Sequence, residues 1–217
     1  MWQCPFFACS LQPLKLAPKV IYVGAPTWSN VLNKLRYLER IIGSKDLLLF
    51  YFSGHSEMKN GSAYITLQDT LPQYIERTGI LVKSIHNLIQ NSQAKTKVLI
   101  LDTCHSGSIT NSKKPKGMEK DFFSKVFEAG EGTAIFTSCK EYQLSHEYDN
   151  TEYRTGAFTY FLLQTLMQGG RYKDIVTVHD LNLETAYALQ SWAYKRKVPQ
   201  SPQFLYTGSG DPIIFER

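Results

Sequence analysis

The 217-residue sequence has no uninterrupted apolar run near the ~20 residues of a bilayer-spanning helix, and Met1-Trp2-Gln3-Cys4-Pro5 is no basic secretory leader. Neither a membrane partner nor secretion is expected, which leaves the cytoplasm as the default location. Cysteine is scarce: Cys4, Cys9, Cys104 and Cys139 are too few for a disulfide scaffold in a chain this long, which suits a reducing compartment. P-loop, GxGxxG, HExxH and GxSxG motifs are all missing, and no internal repeat is visible. Neither sign of charge dominates, since 24 Lys and Arg against 19 Asp and Glu leave +5. Outside Lys113–Lys120 and Lys195-Arg196-Lys197 the basic residues are dispersed, whereas nucleic-acid binding calls for a dense basic stripe. No nucleic-acid partner is expected. The spacing of His55, Cys104, His105 and Cys139 matches no usual zinc pattern, so no metal site is expected.

What is present suits one domain. Hydrophobic residues make up 43% of the chain and charged residues 20%, enough apolar surface for a sizeable core. Residues 1–18, with prolines at 5, 13 and 18, read as an irregular segment, and residues 19–217 as the folded domain. Strands are expected at Lys19–Gly24, Leu47–Phe52, Lys97–Asp102 and Thr133–Ser138, with a short one at Ala63–Leu67. Helical spacing runs from Trp28 to Ile42 after a Thr27 cap. It recurs over Gly79–Asn91, Glu119–Ala129, Gly156–Met167 before Gly169-Gly170, and His179–Trp192 behind a Thr177/Asp180 capping box. Residues 106–118 read as a loop, and Pro202–Tyr206 and Ile213-Ile214-Phe215 as edge strands. Alternating strands and helices predict an α/β three-layer sandwich: a mainly parallel sheet with helices on both faces.

Two apolar runs stop at chemistry. Val98-Leu99-Ile100-Leu101 leads into Asp102-Thr103-Cys104-His105-Ser106-Gly107, and Leu47–Phe52 leads into Ser53-Gly54-His55. Right-handed crossovers make these strands run the same way, so their carboxyl ends share one sheet edge, where open α/β sheets place their sites. Neighbouring strands would bring His55 and Cys104, 49 positions apart, to one cleft. An adjacent imidazole raises the thiolate fraction of a cysteine and moves its proton during catalysis. The oxyanion formed when a thiolate attacks a carbonyl needs donors, for which the backbone N–H of Cys104 and one near Ser56 are candidates.

Tyr51-Phe52-Ser53-Gly54-His55 and Leu101-Asp102-Thr103-Cys104-His105-Ser106-Gly107 resemble the signature blocks of caspase-like peptidases, above all metacaspases and their bacterial relatives. The family spaces its histidine about 50 residues before its cysteine. Ala134–Ser138 with the loop Cys139–Gln143, the Gly156-Ala157-Phe158-Thr159 helix start and Ser201-Pro202-Gln203-Phe204 resemble later blocks of the family. The resemblance implies a caspase-like fold and a cysteine endopeptidase acting on a protein or peptide substrate. It makes Cys104 the nucleophile and His55 the proton carrier, with Ser53 and Asp102 in the pocket for the residue before the cut. A carboxylate two positions before the nucleophile lies on the same side of the strand and would take Lys or Arg. Glu141 is a candidate second acid, although a solvated loop suits it better. The reading in another class is a catalytically weak scaffold or regulatory module on the same fold.

Three departures from the family pattern stand out. Only residues 1–18 precede Lys19–Gly24, where the family has a strand and a helix, and Phe6-Phe7-Ala8-Cys9 is all that resembles that strand. A missing N-terminal segment or a partner domain is therefore an expected contributor to the pocket. Ser56 replaces the usual Gly, and Tyr142 a frequent Asp. No cofactor is implied. Some relatives need calcium, but no calcium site is identified. The lysine-rich stretch 113–120 is a candidate for autocleavage, set against an uncleaved solvated loop.

Overall fold

The computed structural model describes residues 6–11, 19–23, 26–105, 125–126, 132–140, 142–148 and 155–216, with backbone alone at 6–11, 19–23, 104–105, 170–172 and 216. In chain order the strands are β1 (Phe6–Leu11), β2 (Lys19–Val23), β3 (Leu47–Lys59), β4 (Ser62–Ile65), β5 (Ile80–Leu81), β6 (Thr96–His105) and β7 (Thr133–Thr137). They continue with β8 (Glu147–Tyr148), β9 (Thr155–Gly156), β10 (Ile175–Thr177), β11 (Gln203–Leu205) and β12 (Ile213–Glu216). The helices are α1 (Trp28–Ile41), the single turn α2 (Ile75–Thr78), α3 (Val82–Asn91), α4 (Ala157–Tyr172) and α5 (Val178–Arg196).

The pleat sorts the core into two layers. Leu48, Phe50 and Phe52 of β3, Leu99 and Leu101 of β6 and Ile135 of β7 pack with Val31, Leu35 and Leu38 of α1 and Val82, Ile85 and Ile89 of α3. Their alternates Leu47, Tyr51, Val98, Ile100, Ala134 and Phe136 pack with Phe158 and Leu162 of α4 and Val178, Leu181 and Leu189 of α5. Apolar residues at every position of these strands leave no face for water, so helices cover both sides. The three-layer sandwich expected from the sequence is the architecture observed.

The main sheet runs β11-β7-β6-β3-β1-β2, with β4 and β5 hung on the outer half of β3. It is mixed: β3, β6 and β7 are parallel at its centre, while β11, β1, β2, β4 and β5 pair antiparallel. The segment expected to be irregular thus carries a strand. β1 lies between β2 and β3, with Phe6 opposite Phe52 and Leu11 opposite Leu47. Backbone pairing on both sides of this short run outweighs the irregular signal of the prolines at 5, 13 and 18 around it.

Several boundaries move. β3 extends beyond Phe52 to Lys59 and turns at Asn60-Gly61, both with positive φ. β6 likewise runs through His105. α3 begins at Val82 behind Leu81, because Thr78 closes the preceding turn with its own hydroxyl on the Tyr74 carbonyl. α4 runs through Gly169-Gly170 to Tyr172, and Gly169 lies against Val176, where a Cβ would stand 2.7 Å from a valine methyl. Trp28 and Ile41, at the two ends of α1, are exposed. β12 pairs with β10 in a separate ribbon, while β11 takes the sheet edge. Thr177 and Asp180 form the expected capping box on α5. The helix expected at Glu119–Ala129 lies outside the described residues except Lys125 and Val126, as do the loop 106–118 and the lysine-rich stretch 113–120.

Candidate active site

β3 and β6 stay in parallel register from Leu47 opposite Thr96 to Ser56 opposite His105. In that ladder Ser53 faces Asp102, and His55 faces Cys104. Paired strands stand about 4.8 Å apart, so the backbones of the expected base and nucleophile are immediate neighbours. Alternation places positions 53, 55, 102 and 104 on the α4/α5 side, continuing the series Leu47, Tyr51, Val98 and Ile100. The thiol was expected to follow its strand. Instead its backbone belongs to the strand, which fixes it more firmly than a loop would.

His55 is anchored from its other side as well. Its carbonyl accepts the Thr66 N–H at 2.9 Å and the Thr66 hydroxyl at 3.3 Å. Its ring is exposed at the edge, yet desolvation by surrounding protein holds its pKa below the ordinary 6.5. The imidazole is therefore neutral at pH 7, the form that can accept a proton. Ser56 stands between His105 of β6 and Ile65 of β4 in the sheet, with its hydroxyl fully buried.

Asp102 is 4% exposed. Its Oδ1 accepts the Ser145 hydroxyl at 2.8 Å and its Oδ2 accepts the Thr159 hydroxyl at 2.5 Å. The Thr159 oxygen in turn meets the Tyr51 hydroxyl at 2.6 Å. Among the described residues no Lys, Arg or His forms an ion pair with this carboxylate. A buried carboxylate whose partners among the described residues are hydroxyls alone suits the approach of a cation. Gly156 is required beside it, because a Cβ there would come within 2.5 Å of Oδ2.

The wall carrying Ser145 is tied down by glutamines. Gln200 is 2% exposed; its amide nitrogen donates to the Ser138 carbonyl at 3.1 Å and to Ser145 Oγ at 3.2 Å, and its oxygen accepts the His146 N–H at 2.9 Å. Gln143 accepts the N–H groups of Lys140 and Ser201 through one oxygen. The His146 carbonyl accepts the Ala157 N–H at 2.7 Å, which fastens this wall to the start of α4. Burial also lowers the His146 pKa. Ser145, Thr159, Gln200, Tyr51 and Gly156 carry no sequence signal as a group, since they come from four separate segments. Glu141 lies outside the described residues. Among the described residues no three His, Cys, Asp or Glu side chains gather as a metal site, and no helix is long and apolar enough to cross a membrane.

The sequence profile of the caspase domain matches residues 9–208. The chain is also similar to "Metacaspase-1" of Plasmodium falciparum (isolate 3D7), 28% identical over 146 residues, which cover 60% of this chain and 23% of that protein. The matched stretch therefore spans about a quarter of the relative's length.

Proposed function

Since the chain belongs to the caspase domain family, whose members are cysteine-type peptidases, we propose that it is itself a cysteine endopeptidase cutting after Arg or Lys. The observation that supports this best is the register of His55 opposite Cys104 at the carboxyl end of two parallel strands. In this reading the Cys104 thiol gives its proton to the neutral His55 and its sulfur attacks the substrate carbonyl carbon. The oxyanion is held by backbone N–H groups, those of Cys104 and Ser56 being the candidates. His55 returns the proton to the leaving amine, and water then attacks the thioester and frees Cys104.

Asp102 supplies the specificity, with Ser53 beside it in the ladder. A buried carboxylate with no cation among the described residues favours a substrate that brings one, and the side chain before the scissile bond is the nearest source. The test is hydrolysis of fluorogenic peptides ending in Arg, Lys or Asp by the wild type and by Cys104→Ala. Turnover of the Arg and Lys peptides alone, lost in the variant, is expected. Preference for Asp would overturn the role of Asp102, and turnover by Cys104→Ala would overturn that of the thiol.

A further inference from the structure

The hydrogen bonds around Asp102 have a direction. A carboxylate only accepts, so Ser145 and Thr159 must each spend their one hydroxyl hydrogen on it. Each hydroxyl oxygen is then open to a donor. Gln200 Nε2 donates to Ser145 Oγ, and the Tyr51 hydroxyl, facing an oxygen whose hydrogen is already committed, must donate to Thr159 Oγ1. Two relays result: Gln200 to Ser145 to Oδ1, and Tyr51 to Thr159 to Oδ2. They reach the carboxylate from the loop after α5 and from β3, and each fixes one oxygen.

We propose that Gln200 and Tyr51 are positioning residues that hold Asp102 in a single orientation for the substrate cation. This rests on reading Asp102 as the specificity acid. Gln200 suits the task because its amide both donates and accepts. Its oxygen takes the His146 N–H while its nitrogen holds Ser138 and Ser145, so the wall and the relay are set by one buried side chain. A glutamate of the same shape cannot do this. Its carboxylate would repel the Ser138 carbonyl and draw the Ser145 hydrogen away from Asp102.

The experiment compares the full-length wild type with Gln200→Glu, Ser145→Ala and Tyr51→Phe. KM and kcat are measured on Arg and Lys peptides, and the rate of Cys104 alkylation by iodoacetamide reports the nucleophile without the pocket. Each variant is expected to raise KM about tenfold, the scale of one charge-assisted hydrogen bond, with a smaller change in kcat and an unchanged alkylation rate. Gln200→Glu combined with Ser145→Ala is expected to lose little beyond either alone, because both break one relay. Ser145→Ala and Tyr51→Phe each delete only a hydroxyl and carry the test should Gln200→Glu fail to fold. Unchanged KM in these variants, or KM, kcat and alkylation all deteriorating together as in a general loss of structure, would overturn the relays while leaving the Asp102 reading intact. A wild type with no preference for basic residues would overturn both.

Discussion

At the scale of single residues, Asp102 and His55 make opposite demands on their surroundings. Asp102 is buried, and on the proposed reading it meets the substrate's positive charge, so Asp102→Asn is expected to lower kcat/KM on Arg peptides roughly 100-fold, the usual cost of removing one partner of a buried charge pair. Steady-state kinetics on Arg and neutral peptides would check this, with the neutral ones little affected. Gly156→Ala acts on the same carboxylate from the backbone side. Its methyl would collide with Oδ2, so KM on Arg peptides is expected to rise together with a loss of about 1–3 kcal/mol in unfolding free energy. His55 must be neutral to accept a proton, and burial lowers its pKa, so the acid limb of kcat/KM should fall below pH 6.5. A pH–rate profile breaking above that value would contradict the desolvated ring.

Elements show which signals the sequence carries. Thr177 and Asp180 are three apart and cap α5 as local chemistry requires, so Thr177→Ala is expected to cost about 1 kcal/mol in urea unfolding. The other end of α5 shows the reverse. Lys197 holds the left-handed conformation with φ 56°, and Lys197→Gly should stabilise the protein by roughly 0.5–1 kcal/mol. The parallel strands and the placing of positions 55 and 104 at one sheet edge were legible because apolar runs, a helical period and a right-handed crossover are strong local signals. The strand at Phe6–Leu11 was not, since six residues gain their conformation from β2 and β3 on either side rather than from their own pattern. Nor was the surrounding of Asp102, because Tyr51, Ser145, Thr159 and Gln200 meet only after tertiary folding and no spacing announces them.

Among the described residues, three imidazoles tie the stability of the molecule to acid. His55, His86 and His146 all have pKa values lowered by burial, and His86 is 4% exposed with no partner for its Nε2. Below the unfolded value of 6.5 the unfolded chain binds more protons than the native one. Their contribution is therefore complete above pH 6.5 and lost as pH falls toward the lower folded values. The urea midpoint is expected to drop between pH 7.5 and about pH 5, with His86→Leu flattening the dependence. The β3–β6 ladder has a consequence for the newly made chain. Positions 55 and 104 are brought together by pairing across the centre of the sheet, between strands separated in the chain by β4, α2, β5 and α3. On the proposed reading, a chain that has not zipped these strands has a thiol and an imidazole but not their juxtaposition. Once they have zipped, both hydrophobic layers have closed around them. On the proposed reading, the site is assembled only with the cooperative folding transition, and an unfolded copy is expected to cleave no peptide.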